Sequence, residues 1–234
     1  MNKVRVWDLP LRLFHWLLVA GVVMAFISGQ IGGKLMDWHG KIGLFILGLM
    51  VFRLIWGFVG STHSRFANFL PTPGKLRAYL GGTWRGLGHN PLGALSVFAL
   101  LGLLTLQAST GLFANDDIAF QGPLYRLVGS HWSGKLTGIH ELVSKALMAL
   151  VALHISAIAF YARVRNINLV RPMLTGTVPA TEGASTQVVQ GGGILAFLIA
   201  LALAAGTVWF IGSGRMALWI APPPPTATTA PASW

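Results

Sequence analysis

Four of the seven histidines in this 234-residue chain, His15, His39, His140 and His154, fall inside apolar stretches. An ionisable side chain in hydrocarbon costs a few kcal/mol unless it is paired, solvated or ligated, so each of these positions invites a chemical reading. An imidazole in that setting bonds to a neighbouring helix, relays protons or ligates a metal. The chain has no cysteine, which excludes disulfides, thiolate zinc sites, iron–sulfur clusters and thioether-attached haem. His140 and His154 are fourteen residues apart. On a helix that spacing turns about 1400°, within about 40° of four full turns, and puts both rings on one face about 21 Å apart. A zinc or copper centre gathers three or four ligands at one depth. Two levels of imidazoles suit two b-type haems instead, each iron taking two axial ligands from the protein.

The elements that must carry these residues are membrane helices. Hydrophobic residues make up 54% of the chain and charged ones 10%, with a mean hydropathy of +0.65. That excludes a water-soluble enzyme and makes nucleic acid a poor partner for the net charge of +11. About 20 apolar residues cross a bilayer, and five stretches qualify: about 13–31, 39–58, 92–113, 138–162 and 193–212. The first is too long for the apolar core of a signal peptide and no small-residue cleavage site follows it, so it reads as a retained helix.

Orientation follows from the basic residues of the short loops. Lys3, Arg5 and Arg12 precede the first span, Arg65, Lys75, Arg77 and Arg85 lie between the second and third, and Arg163, Arg165 and Arg171 follow the fourth. The alternate loops carry Lys34 with Asp37, and Asp116 and Asp117 with Arg126 and Lys135. This predicts a cytoplasmic N-terminus and a periplasmic C-terminus. His39 and His140 then share the outer level, and His15 and His154 the inner one.

Neighbouring residues fit two haem levels and also have plainer readings. Gly43, one turn after His39, would let a flat macrocycle approach the backbone or simply let helices pack closely; Ser144 stands in the same relation to His140. Arg53, fourteen residues after His39, and Arg12, one turn before His15, could pair with haem propionates or anchor the helices at the interface. His63, His89 and His131 read as loop residues. Of these, His89 stands just before the third span, within reach of the inner haem edge or a quinone head group. A membrane histidine taken singly is more often a hydrogen-bonded packing residue, and a haem-free proton-coupled transporter would use the four as a relay.

His15-Trp16, His39 with Gly43 and Arg53, and His140-Glu141 followed by His154 resemble the bacterial cytochrome b561 family and the hydrogenase-type b cytochromes. The segments RLIWGFVGSTHSRF (53–66) and GHNPLG to GLFANDD (88–117) are similar to a branch of cytochrome b/b6-domain proteins. The resemblance covers about residues 5–174. It implies an all-α, integral membrane four-helix haem-binding bundle in the bacterial inner membrane, to which this chain adds a fifth C-terminal transmembrane helix. It also implies two non-covalent haems b, ligated by His15 and His154 at the inner level and by His39 and His140 at the outer one.

The expected organisation is a dihaem cytochrome b domain at 1–174, a flexible linker at 175–192, the fifth helix at 193–212 and a Pro-rich tail at 213–234. Electrons would pass between quinone and a c-type cytochrome or other redox protein on the outer face, with no side chain making or breaking bonds. A superoxide:quinone oxidoreductase acting beside the outer haem is the alternative. The fifth helix, without an ionisable residue, is expected to meet membrane lipid and to mediate a homodimer or a larger complex.

Overall fold

A computed structural model describes residues 3–86, 88–118, 120–179 and 190–215. It is almost entirely helical: a short strand β1 (Lys3–Arg5) is followed by α1 (Leu9–Ile31), α2 (Met36–Val59), α3 (Phe66–Phe69), α4 (Pro73–Leu80), α5 (Pro91–Gly111), α6 (Gly129–Arg163), α7 (Val170–Thr175), strand β2 (Thr177–Pro179) and α8 (Ile194–Gly212). Five of these helices, α1, α2, α5, α6 and α8, are long and apolar enough to cross a membrane, so the chain is a multi-pass membrane protein. Residues 180–189 of the expected linker and 216–234 of the Pro-rich tail lie outside the described residues.

The helix starts follow from local chemistry. Asp8 caps α1 by accepting from the Leu11 amide at 2.7 Å, and Asn90 caps α5 through the Gly93 amide at 2.7 Å; Pro10 and Pro91 stand in the first turns, where a missing N–H costs nothing. The fourth span starts nine residues before the expected Gly138. Its first turns are polar, so hydropathy does not reveal them. Side-chain bonds hold them: Ser133 donates to the Phe113 carbonyl at 2.7 Å, and Thr137 Oγ1 accepts from the Asn115 amide at 3.1 Å.

α1 packs on α2, α2 on α5 and α8, and α5 on α6. In lipid the drive for such packing is close contact rather than water release. Gly21 on α1 lies where an added Cβ would sit 3.2 Å from Ile46 of α2, and Gly48 of α2 lies where one would meet Val208 of α8 at 2.8 Å. Ala200 and Ala204 of α8 are buried, and Phe197 of α8 meets Phe52 and Trp56 edge-on. The fifth span is thus seated along α2.

A polar corner ties the N-terminal side together. Beyond the Leu11 amide, the buried Asp8 carboxylate accepts from Trp56 Nε1 at 3.1 Å, from Ser64 Oγ at 2.6 Å and from Ser61 Oγ. β1 pairs antiparallel with β2, and the Gly176 carbonyl accepts from the Val6 and Trp7 amides at 2.8 and 3.1 Å. Gly176 has a φ of +80°, and a Cβ there would lie 2.7 Å from the Trp7 carbonyl oxygen, so this close approach needs glycine.

Candidate functional site

His39 on α2 and His140 on α6 face each other on the side away from the N-terminus. Their ring centroids are 6.1 Å apart and their planes cross at 84°. Each ring is seated by the helix before its own. His39 Nδ1 lies 2.8 Å from the Ala25 carbonyl oxygen of α1, and His140 Nδ1 lies 3.0 Å from the Gln107 carbonyl oxygen of α5. A carbonyl only accepts, so Nδ1 carries the proton in both rings and Nε2 keeps its lone pair.

The two seats share one spacing. Three residues beyond each carbonyl stands a hydroxyl, Ser28 or Thr110, 3.4 and 3.3 Å from the respective Nδ1. Four residues beyond stands a glycine: a Cβ on Gly29 would come within 3.1 Å of the His39 ring, and one on Gly111 within 3.0 Å of the His140 ring. Gln107 adds a side-chain amide that donates to His140 Nε2 at 2.9 Å.

A cavity of about 660 Å³ adjoins the pair, lined among others by His39, His140, Gly43 and Ser144, and its volume is that of a cofactor pocket, about 300–1,000 Å³. A Cβ built on Gly43 would meet nothing within 4 Å, so the backbone there borders open space. A haem iron between two imidazoles needs two metal–nitrogen bonds of about 2 Å and two ring radii of about 1.1 Å, or about 6 Å between centroids. The observed separation and the open flank at Gly43 leave room for a flat cofactor between the rings, which would have to displace the Gln107 amide from His140 Nε2. Among the described residues no group of three or more His, Cys, Asp or Glu gathers to hold a bare metal ion.

The other pair has a different setting. His15 on α1 is half-buried and meets Trp16 edge-on at 5.1 Å between centroids; its Nδ1 is buried with no hydrogen-bond partner among the described residues. His154 is half-buried on α6. The helix runs unbroken from His140 to His154, which keeps the two on nearly one face. Arg12 donates to the Leu174 carbonyl, and its Nε is buried without a partner among the described residues. Arg53, 2% exposed, donates to the Ser64 carbonyl at 3.1 Å and lies over the Phe66 ring. Both arginines hold backbone at the N-terminal corner.

His63 and His89 lie near that corner too. His89 is flanked by Trp7 and Phe69, with centroids at 4.5 and 4.4 Å. Burial lowers its pKa to about 3 and also lowers that of His63, so both rings are neutral at pH 7. His131 is exposed beside Trp132 on the opposite side.

Sequence reasoning missed the seats. Gln107 could have been singled out as an amide inside an apolar span. Gly29 and Gly111 had a signal only in their depth, near the ends of spans one and three that lie level with His39 and His140.

Paired imidazoles beside a cofactor-sized cavity in a helical membrane bundle are the build of a membrane-embedded electron-transfer cytochrome. The chain belongs to the prokaryotic cytochrome b561 family, whose model it matches over residues 6–176. It is 28% identical over 128 residues to a probable Ni/Fe-hydrogenase B-type cytochrome subunit of Azotobacter vinelandii, covering 42% of this chain and 52% of that one. It is 22% identical over 196 residues to the like-named subunit of Rhizobium leguminosarum bv. viciae, covering 66% and 80%. A probable Ni/Fe-hydrogenase 1 B-type cytochrome subunit of Escherichia coli (strain K12) is 22% identical over 137 residues, covering 45% and 57%. The chain thus spans about half the length of the first of these relatives. No solved structure matches it.

Proposed function

We propose that the protein is a dihaem b cytochrome of the bacterial inner membrane that carries electrons between the quinone pool and a redox partner on the outer face. The observation that carries this reading is the His39–His140 pair, 6.1 Å apart, with each Nδ1 tied to a carbonyl. His39 and His140 would hold the outer haem, and His15 and His154 the inner one. Bound haem supplies the one-electron redox chemistry. The protein's part is to fix ligand orientation through the Ala25 and Gln107 carbonyls, which also raise imidazole basicity. Gly43 leaves space for the macrocycle face, and the lipid-covered helices keep water away. In this topology the N-terminus is cytoplasmic, as the basic loops around Arg12, Arg65, Lys75, Arg77, Arg85 and Arg163 favour. The partner is a c-type cytochrome or, as the names of the relatives suggest, a hydrogenase.

The purified protein in proteoliposomes tests this. A quinol in the membrane is expected to reduce the haem bands, and an impermeant acceptor at the outer face to reoxidise them. Reduction by quinol without reoxidation across the membrane would leave a quinol-binding protein and remove the transmembrane wire.

A further inference from the structure

A second cavity, of about 230 Å³, lies on the N-terminal side, away from the His39–His140 cavity. It is enclosed by the chain after α2, by α4 and by the segment leading into α5. Its lining includes Lys75, Arg85, His63, His89 and Asn68, with no aspartate or glutamate. Residues 60–90 carry Arg65, Lys75, Arg77 and Arg85 and not one acidic residue; the Asp8 carboxylate of the adjoining corner is buried and already accepts from Leu11, Trp56, Ser61 and Ser64. Lys75 Nζ donates to the Leu70 carbonyl at 3.2 Å, and Arg85 donates through Nη1 to the Gly82 and Trp84 carbonyls; both retain further N–H groups for a ligand. His63 Nε2 and His89 Nδ1 are buried without a hydrogen-bond partner among the described residues. Leu70 and Leu80, exposed by 49% and 70%, are apolar neighbours suited to lipid chains.

We infer that this cavity binds a phosphate group, held by the Lys75 and Arg85 cations with His63 and His89 in the wall. A phosphoryl oxygen accepts from ammonium and guanidinium through charge-assisted bonds, and the basic, acid-free lining matches its charge. The same chemistry comes from two sources, the headgroup of an anionic phospholipid in the adjoining leaflet or free inorganic phosphate. The site shares no lining residue with the His39–His140 cavity, and the inference does not rest on the proposed electron transfer.

Native mass spectrometry of the delipidated full-length protein, titrated with phosphatidylglycerol or phosphatidylcholine, and calorimetry with inorganic phosphate separate the two sources. Lipid as the source predicts retention of phosphatidylglycerol over phosphatidylcholine, lost by about fivefold in Lys75→Gln or Arg85→Gln and about thirtyfold in the double variant. Arg77→Gln, a basic residue of α4 outside the lining, should keep wild-type retention. Free phosphate as the source predicts calorimetric binding with the same dependence on Lys75 and Arg85 and no preference between lipids. An unchanged haem spectrum in each variant shows that the fold is intact. In the wild type, binding should also weaken with rising salt. Equal retention of both lipids without phosphate binding, binding indifferent to Lys75 and Arg85 or to salt, or saturable binding of a short-chain quinone with none of phosphate or phosphatidylglycerol would overturn the assignment.

Discussion

The His39–His140 level and the His15–His154 level put the same residue type to work in different surroundings. At the first, both rings are held by the protein itself: each Nδ1 meets a carbonyl and a hydroxyl, and each ring lies against a glycine of the preceding helix. At the second, His15 leaves Nδ1 unbonded among the described residues and rests on Trp16. The start of its helix is ordered instead by the corner in which Asp8, Arg53, Ser61, Ser64 and Trp56 interlock. One pair of imidazoles is held at the rings themselves and the other through the helix that carries it. The difference teaches where a substitution will be felt. Apart from the four histidines themselves, a change at the outer level should act on the cofactor directly, and one at the inner level through the stability of the helix ends.

The largest expected effects come from the ligands. His39→Ala or His140→Ala should each remove one haem and leave the other, and His15→Ala or His154→Ala should remove the complementary one, seen as a fall from about two haems per chain to about one with distinct residual spectra. Grouping of His15 with His140 would break the two-level comparison.

Next come the glycine seats. Gly111→Ala and Gly29→Ala each press a methyl group against a ligand ring at 3.0–3.1 Å. At about 1–3 kcal/mol for overpacking, outer haem occupancy should drop while the inner spectrum stays unchanged. A loss confined to the inner haem would contradict the seat.

Asp8→Asn sharpens the inner half of the comparison. It keeps the shape of the side chain and removes the charge that Trp56, Ser61 and Ser64 donate to. A loss of about 1–3 kcal/mol is expected, read as a lower midpoint of thermal unfolding with both haems retained at 25 °C.

The smallest effect on the haems is expected from truncation after Gly176, which removes α8 but keeps the Gly176 contacts to Val6 and Trp7. Four ligands remain, so both haems should stay bound. Phe52 and Trp56 lose Phe197 as a neighbour, so thermal stability should fall. Loss of either haem in a truncated protein that still inserts would make the fifth span part of the haem-binding core.

The sequence exposes some of this arrangement and hides the rest for physical reasons. The ligand candidates stand out because histidine is expensive in hydrocarbon and because fourteen residues nearly complete four turns. The five spans stand out because apolar length is dictated by bilayer thickness. The Ala25 and Gln107 carbonyls are hidden because every residue carries one, and only tertiary packing selects which meets an imidazole. Gly29 and Gly111 were visible as glycines among 29 in the chain, but their partners lie on other helices. The first turns of α6 were hidden because Gly129 to Thr137 is polar and its helix is stabilised by bonds to Phe113 and Asn115. Arg53 reads from sequence as a surface anchor or a propionate partner; what the sequence does not show is its burial and its bond to the Ser64 carbonyl, which ties α2 to the following loop.

The most direct test of the account is the reduced-minus-oxidised spectrum of the purified full-length protein together with its haem-to-protein ratio. Two bis-imidazole levels predict about two acid-acetone-extractable haems b per chain, both six-coordinate and low-spin. A single haem per chain, a high-spin centre in the fresh protein, or no Soret band at all would contradict it.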